Sequence, residues 1–293
     1  GGEAAPCRPT PTCRLALREP EPSNGLLQSI KASVCFFIDR SHLSPYSRGT
    51  PIHKGKPSVG SIYLIRHGQA SFGADDYDVL SEIGIRQAEI LGRHFSQLGL
   101  GFDRCLSGEL RRQQHTAQAT LAQIGSAGLP APEIEIEPAF NEFDADAVIR
   151  ALLPHLLEEE PQALEVLRNP GQNRNEFQRL FARLIGCWLN GEHDESLTSW
   201  ASFVGTVRDG LERLLARANP RQNIAVFTSG GTITALLHLI TGIPARQAFE
   251  MNWQIVNTSL NRLKFRGSEV TLASFNSYTH LELLKTPELI TYR

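Results

Sequence analysis

Short apolar runs alternate with longer segments of helical period from residue 61 to residue 277. Residues 61–66, 102–107 and 223–228 are brief, rich in apolar residues and bounded by polar or glycine positions, which predicts buried strands. Residues 259–265 and 269–277 flank Arg266-Gly267-Ser268 and predict a hairpin. Apolar residues at helical spacing predict helices over 81–98, 110–124, 145–157, 176–189, 200–218 and 232–241, the first opened by Ser81. Strands separated by helices predict an α/β fold: a three-layer α/β/α sandwich on a mainly parallel sheet, with the late hairpin extending or edging it. The stretch from Glu142 to about Ser199 is largely helical and falls between core strands.

Residues 1–58 have no such period. Pro, Ser, Gly and Arg punctuate them, as in Ser44-Pro45-Tyr46-Ser47-Arg48-Gly49-Thr50-Pro51. The expectation is a disordered or loosely docked extension (1–58) before a single catalytic domain (59–293). A targeting or regulatory tail is the functional alternative, and the missing initiator methionine also fits translated upstream sequence.

At 293 residues and 41% hydrophobic content the chain is long enough to bury a full core. Its net charge of -2 argues against a nucleic-acid or membrane-surface partner, so any strong positive potential has to be focused in a cleft. The five cysteines are odd in number and form no Cys-x-x-Cys pair, which predicts free thiols in a reducing, cytoplasmic setting. No apolar run reaches membrane-spanning length, and no metal-ligand spacing is present.

The chemistry concentrates where the first strand ends, at Arg66-His67-Gly68-Gln69. A strand that delivers a guanidinium and an imidazole to the carboxyl edge of a parallel sheet suits an oxyanion ligand, phosphate above all. Two later stretches add to it: Leu80-Ser81-Glu82-Ile83-Gly84-Ile85-Arg86-Gln87-Ala88 and Ser107-Gly108-Glu109-Leu110-Arg111-Arg112-Gln113-Gln114-His115-Thr116-Ala117. With these three segments in order, the chain resembles the histidine phosphatase superfamily, the phosphoglycerate mutase-like proteins. Members carry Arg-His-Gly, then Leu-Thr/Ser-x-x-Gly-x-x-Gln-Ala, then a Ser-x-Leu-x-Arg-Ala-x-Gln-Thr-Ala type segment.

The resemblance implies a helical cap over the pocket, here about residues 142–199, and a phosphohistidine formed on His67. It implies a phosphate clamp of Arg66 and Arg112, with Arg112 preferred to Arg111 by register from Thr116-Ala117 and by the inward apolar face. Glu142, in Ala139-Phe140-Asn141-Glu142-Phe143-Asp144, takes the place of the proton-donating glutamate. Gly68, Gln69, Ser229 and Gly230 would line the substrate, a small phosphorylated molecule. No metal or cofactor is implied.

One position departs from the pattern. Members usually end a late strand in Ser/Thr-His-Gly-Gly, whereas this chain has Thr228-Ser229-Gly230-Gly231, with Ser229 in the histidine's place. A hydroxyl and the backbone N–H groups of Gly230, Gly231 and Thr232 can still bind phosphate, but a potential cation is lost. Beside a phosphomonoester phosphatase there stands a weak or inactive phosphate-binding pseudoenzyme. Mutase chemistry ranks lower because Ala70 to Asp78 does not match the mutases' gripping stretch. Ser229 as a serine-hydrolase nucleophile ranks lowest, since Phe227 stands where the elbow motif needs glycine. The cap arginines Arg150, Arg168, Arg174, Arg179 and Arg183 are solvated or ligand-binding, and Trp253 and Phe249 are candidates for an apolar contact.

Overall fold

A computed structural model describes residues 59–71, 78–168, 174–191 and 195–292, with the side chains of Leu167, Arg168 and Arg174 excluded. The expected extension of residues 1–58 lies outside them.

Six strands form one sheet: β1 (Gly60–Arg66), β2 (Arg104–Ser107), β3 (Ile134–Ile136), β4 (Asn223–Thr228), β5 (Leu260–Arg266) and β6 (Glu269–Ser277), in the order β3-β2-β4-β1-β5-β6. The β3, β2, β4 and β1 strands run parallel, while β5 joins β1 antiparallel and β6 pairs antiparallel with β5 at the edge. The hairpin turn is tighter than the sequence predicts. Only Gly267 and Ser268 separate β5 from β6, and Gly267 has φ 58°, the positive φ that a type II′ turn requires at its first central residue.

The period-2 alternation of the central strands sorts their side chains into two cores. Ile62, Leu64, Leu106, Ile224 and Val226 face one side, and Tyr63, Ile65, Cys105, Ala225 and Phe227 face the other. Against the second face pack α1 (Glu82–Gln97) and α2 (Arg111–Ser126), through Leu91, Phe95, Ala117, Leu121 and Ile124. Against the first lie α6 (Trp200–Ala216) and α7 (Gly230–Thr241), through Val207, Leu211, Ile233 and Leu237. This is the three-layer arrangement the alternation predicts. Both faces of β1, β2 and β4 are covered, which is why these strands read as unbroken apolar runs.

Between β3 and α6 the chain forms α3 (Ala145–Glu159), α4 (Ala163–Arg168) and α5 (Arg174–Asn190). Their buried residues Val148, Leu152, Leu156, Leu180, Leu184 and Trp188 join the first core. Phe143 stacks on Trp188 with ring centroids 4.7 Å apart and ties this helical segment to the body. Arg179 and Arg183 are ion-paired with Glu160, and also with Glu176 and Glu159 respectively. Phe249, on α8 (Ala245–Asn252), is buried rather than exposed for contact, edge-on to Phe143 and Trp253. Among the described residues no helix is long and apolar enough to cross a membrane.

Several boundaries differ from expectation. Leu110 is the N-cap of α2 rather than its first residue, and α7 begins at Gly230 rather than Thr232. The β3 strand and the α4 and α8 helices carry signals too short to predict.

Glycines mark where backbones touch. A Cβ on Gly84, in the first turn of α1, would lie 2.1 Å from the Gln69 carbonyl oxygen, whereas one on exposed Gly125 of α2 meets only Ala131, at 3.6 Å. The same substitution should therefore have opposite signs. Gly125→Ala raises stability by about 0.5–1 kcal/mol through helix propensity, and Gly84→Ala lowers it by about 1–3 kcal/mol through overpacking. Thermal melts of the two variants check this, and equal shifts would contradict the contact.

Candidate active site

The segment after β1 is held by its backbone. The His67 N–H donates to the Thr228 carbonyl at 2.9 Å, carrying the β1–β4 ladder one step past the strand. The Gly68 N–H donates to Thr116 Oγ1 at 2.9 Å, and the Gln69 N–H to Gln87 Oε1 at 2.8 Å. On the far side Asn257 Nδ2 donates to the His67 carbonyl at 2.9 Å, and the Thr258 N–H to the Arg66 carbonyl at 2.9 Å. A Cβ on Gly68 would fall 2.5 Å from the Gly84 carbonyl oxygen, and one on Gly84 would strike the Gln69 backbone, so neither can carry a side chain. Gly84, Gln87 and Thr116, recurrent letters of the second and third segments, thus act here as braces for the first.

His67 is 4% exposed. Its Nδ1 lies 2.7 Å from the Gly68 carbonyl, which can only accept, so Nδ1 carries the proton and Nε2 holds the lone pair. Arg112 Nε donates to that lone pair at 3.2 Å. Burial, and after it the charges of Arg112 and Arg66, hold the imidazole well below its usual pKa of 6.5, with the Gly68 bond opposing. The ring is neutral at physiological pH, and its lone pair faces a cation.

The two arginines reach His67 by different routes. Arg112 projects from the first turn of α2, where Asp78 fixes it. One Asp78 oxygen accepts from Arg112 Nη1 at 2.7 Å and the other from the Arg111 N–H at 2.8 Å. Arg111 itself is exposed. The Arg66 guanidinium donates to the carbonyls of Ile255 and Tyr292, the latter at 3.1 Å, so the C-terminal segment orients it.

Glu142 follows the 3₁₀ turn Pro138–Phe140. Its Oε2 accepts from the Gly231 N–H at 3.1 Å and its Oε1 from the Phe143 N–H at 3.2 Å. Burial raises the carboxyl above its usual 4.5, against the Gly231 bond and the Arg112 and Arg66 charges. A Cβ on Gly231 would fall 2.0 Å from Glu142 Oε1, so only glycine admits the carboxylate there. This corrects one expectation: the Gly231 N–H is taken by Glu142 and is not free for an anion.

Ser229 is fully buried between β4 and α7 and makes no side-chain cap; its Oγ accepts from Gln113 Nε2 at 2.8 Å. Gly230 lies against Asn252, with Arg66 Cζ 3.8 Å from where its Cβ would be. The Gln69 side chain accepts from Ser81 Oγ at 2.9 Å and is turned toward the start of α1. His238 bonds the Ile243 carbonyl, and His280 bonds Thr258, so neither stands in for the missing imidazole.

The structure thus gathers Arg66, His67, Gly68, Arg112, Glu142, Ser229 and Gly230 at the carboxyl ends of the parallel strands. Sequence reasoning missed Asp78, Gln113 and Asn257. Gln113 alone left a trace, a glutamine in the first turn of α2 within the third segment.

Comparison with known proteins bears on the fold and the family. A 2,3-bisphosphoglycerate-dependent phosphoglycerate mutase of Bradyrhizobium sp. strain BTAi1 is 38% identical over 76 residues, 24% of this chain and 36% of that protein. The chain spans only about 36–42% of the length of the curated relatives it matches first. Among solved structures, phosphoglycerate mutase from Bacillus anthracis aligns over 78% of this chain and 98% of its own, at 18% identity and TM-score 0.53. A phosphoserine phosphatase from Entamoeba histolytica, in complex with 3-phosphoglyceric acid, aligns over 76% and 99% at 20% identity and TM-score 0.51. These likenesses show a shared fold. The profile of the histidine phosphatase superfamily, branch 1, matches residues 62–170 and 165–278, and the chain belongs to that superfamily.

Proposed function

We propose that this chain is a phosphomonoester phosphatase that works through a phosphohistidine on His67. The observation that carries the reading is the neutral imidazole, with its proton anchored to the Gly68 carbonyl and its Nε2 lone pair beside Arg112. That is the state a nitrogen nucleophile needs. A phosphoryl group entering between Arg112 and His67 replaces the lone pair as the arginine's partner, and its oxygens take the guanidinium hydrogens.

In the first step Nε2 attacks phosphorus and the P–O ester bond breaks. The departing oxygen takes the proton of the Glu142 carboxyl. In the second step Glu142, now a carboxylate, takes a proton from water while the water oxygen attacks phosphorus. The P–N bond breaks, and phosphate leaves with His67 restored. Arg66 and Arg112 offset the charge on the phosphoryl oxygens throughout. The reading needs no metal or cofactor. Its substrate is a small phosphorylated molecule met in the cytoplasm, with Gly68, Ser229 and Gly230 as the pocket lining and α3–α5 as the cap; the Gln69 side chain, engaged with Ser81, is left out of that lining. Residues 1–58 stand in it as an appendage to the catalytic domain.

A second reading, phosphate binding with little turnover, has one observation in its favour: the group in the second histidine's place is an uncharged hydroxyl engaged with Gln113.

Hydrolysis of p-nitrophenyl phosphate without added metal tests the first reading. Wild type turns over and His67→Ala falls to background; equal rates in both would refute a nucleophilic role.

The pH profile is the second test. His67 must be neutral, and its pKa lies well below 6.5, so it limits the rate only at the acid end. Glu142 must be protonated in the first step, and its pKa is raised above 4.5. Between pH 5 and 8, kcat/KM should therefore fall as pH rises. Glu142→Gln should flatten that fall and cost about 10²–10⁴ in kcat. A profile that climbs toward pH 8 would exclude Glu142 as the acid.

A further inference from the structure

Gln113 stands at the third position of α2 and is wholly buried. Its carboxamide spans from that helix to the ends of β2 and β4. One Nε2 hydrogen goes to Ser229 Oγ at 2.8 Å, the other to the Phe140 carbonyl at 3.2 Å. Its Oε1 is buried with no hydrogen-bond partner among the described residues. Gly108, just past β2, is the third member of the group, because a Cβ there would fall 2.0 Å from Gln113 Oε1. Serine from one chain region and glutamine and glycine from another thus fill one volume.

A carboxamide kept for packing alone would have both ends satisfied. Here one end donates to a residue beside His67 and the other is left open. A serine hydroxyl has one hydrogen to give and lone pairs to receive. Gln113 fills a lone pair, and no acceptor among the described residues takes the Ser229 hydrogen. Nor does Ser229 cap α7. The strand register places it next to His67, whose N–H bonds the carbonyl of the preceding residue, Thr228.

We propose that Gln113 is a positioning residue for phosphate: by donating to Ser229 Oγ it aims the Ser229 hydrogen at a phosphoryl oxygen held against His67. This rests on the phosphate-site reading given above. Gln113 and Ser229 then act as a single neutral donor unit, and the positive charge of the pocket comes from Arg66 and Arg112. On this geometry a histidine at position 229 would need a smaller residue at 113. An imidazole would have to enter the space that the Gln113 amide occupies.

Calorimetric titration with inorganic phosphate tests the proposal, using wild type, Ser229→Ala, Gln113→Met and the double variant, each with a thermal melt. Methionine keeps the length of glutamine and removes the donor; Gln113→Leu replaces it if the methionine variant does not fold. Each single variant should bind phosphate about tenfold more weakly, the worth of a hydrogen bond to a charged group. The double variant should be no weaker than either single one, since both remove the same contact. Ser229→His should regain phosphate affinity only when combined with Gln113→Ala.

A Gln113→Met protein that binds phosphate like wild type overturns the proposal. So does a double variant whose loss is the product of the two single losses, which is what a merely structural glutamine would give. If wild type hydrolyses p-nitrophenyl phosphate while Gln113→Met leaves phosphate affinity unchanged, this proposal fails alone. If wild type neither binds phosphate nor turns over, the phosphatase reading fails with it.

Discussion

Every backbone N–H and carbonyl from Arg66 through Gln69 is hydrogen-bonded within the protein. Partners come from β4, from the loop before β5, from both motif helices and from the His67 ring itself. A four-residue stretch past a strand end would ordinarily turn to water for some of these bonds. Here it cannot shift without breaking bonds to several elements at once. The placement of the imidazole, the approach of α1 through Gly84 and the reach of Arg112 all depend on this stretch keeping its course.

Electrostatics follow from that placement. His67 and Glu142 are both driven toward their neutral forms, mainly by burial. The Arg66 and Arg112 guanidiniums stand beside these two groups, and Asp78 holds Arg112 in an ion pair at 2.7 Å. A chain of net charge -2 thus brings two guanidiniums to one imidazole without being basic overall. In folds of this kind ligands gather at the strand ends, where these two side chains lie.

The central architecture was legible because β1, β2 and β4 are covered on both faces and their sequences record it. The β3 strand was not, since it is three residues long and mostly exposed, and its apolar content falls to two isoleucines around a glutamate. Within the site, Arg66, His67 and Arg112 could be found because neighbours in sequence surround them in the same motif. Asp78 and Asn257 could not, because each acts on a residue far along the chain, and nothing local to either distinguishes it from an ordinary loop polar residue. The role of Gly231 is hidden in the sequence for a related reason: the partner of its N–H, Glu142, lies 89 positions away, just past the Pro138–Phe140 turn.

Thr258 has φ 62°, a left-handed backbone that β-branched residues seldom adopt. It sits directly behind Arg66, and its hydroxyl donates to the Asn257 carbonyl and meets His280 Nε2 at 3.2 Å. Burial, with His94 adding to it, pushes the His280 pKa down to about 3. Two demands on the position therefore conflict. Glycine would suit the backbone and abandon the hydroxyl, while other β-branched residues would keep the bad torsion and gain nothing. Serine would keep the hydroxyl and drop the branched methyl that the torsion disfavours, so the methyl is the strained part of the compromise. A strained residue with no charge of its own thereby helps to fix the course of the strand end that carries Arg66.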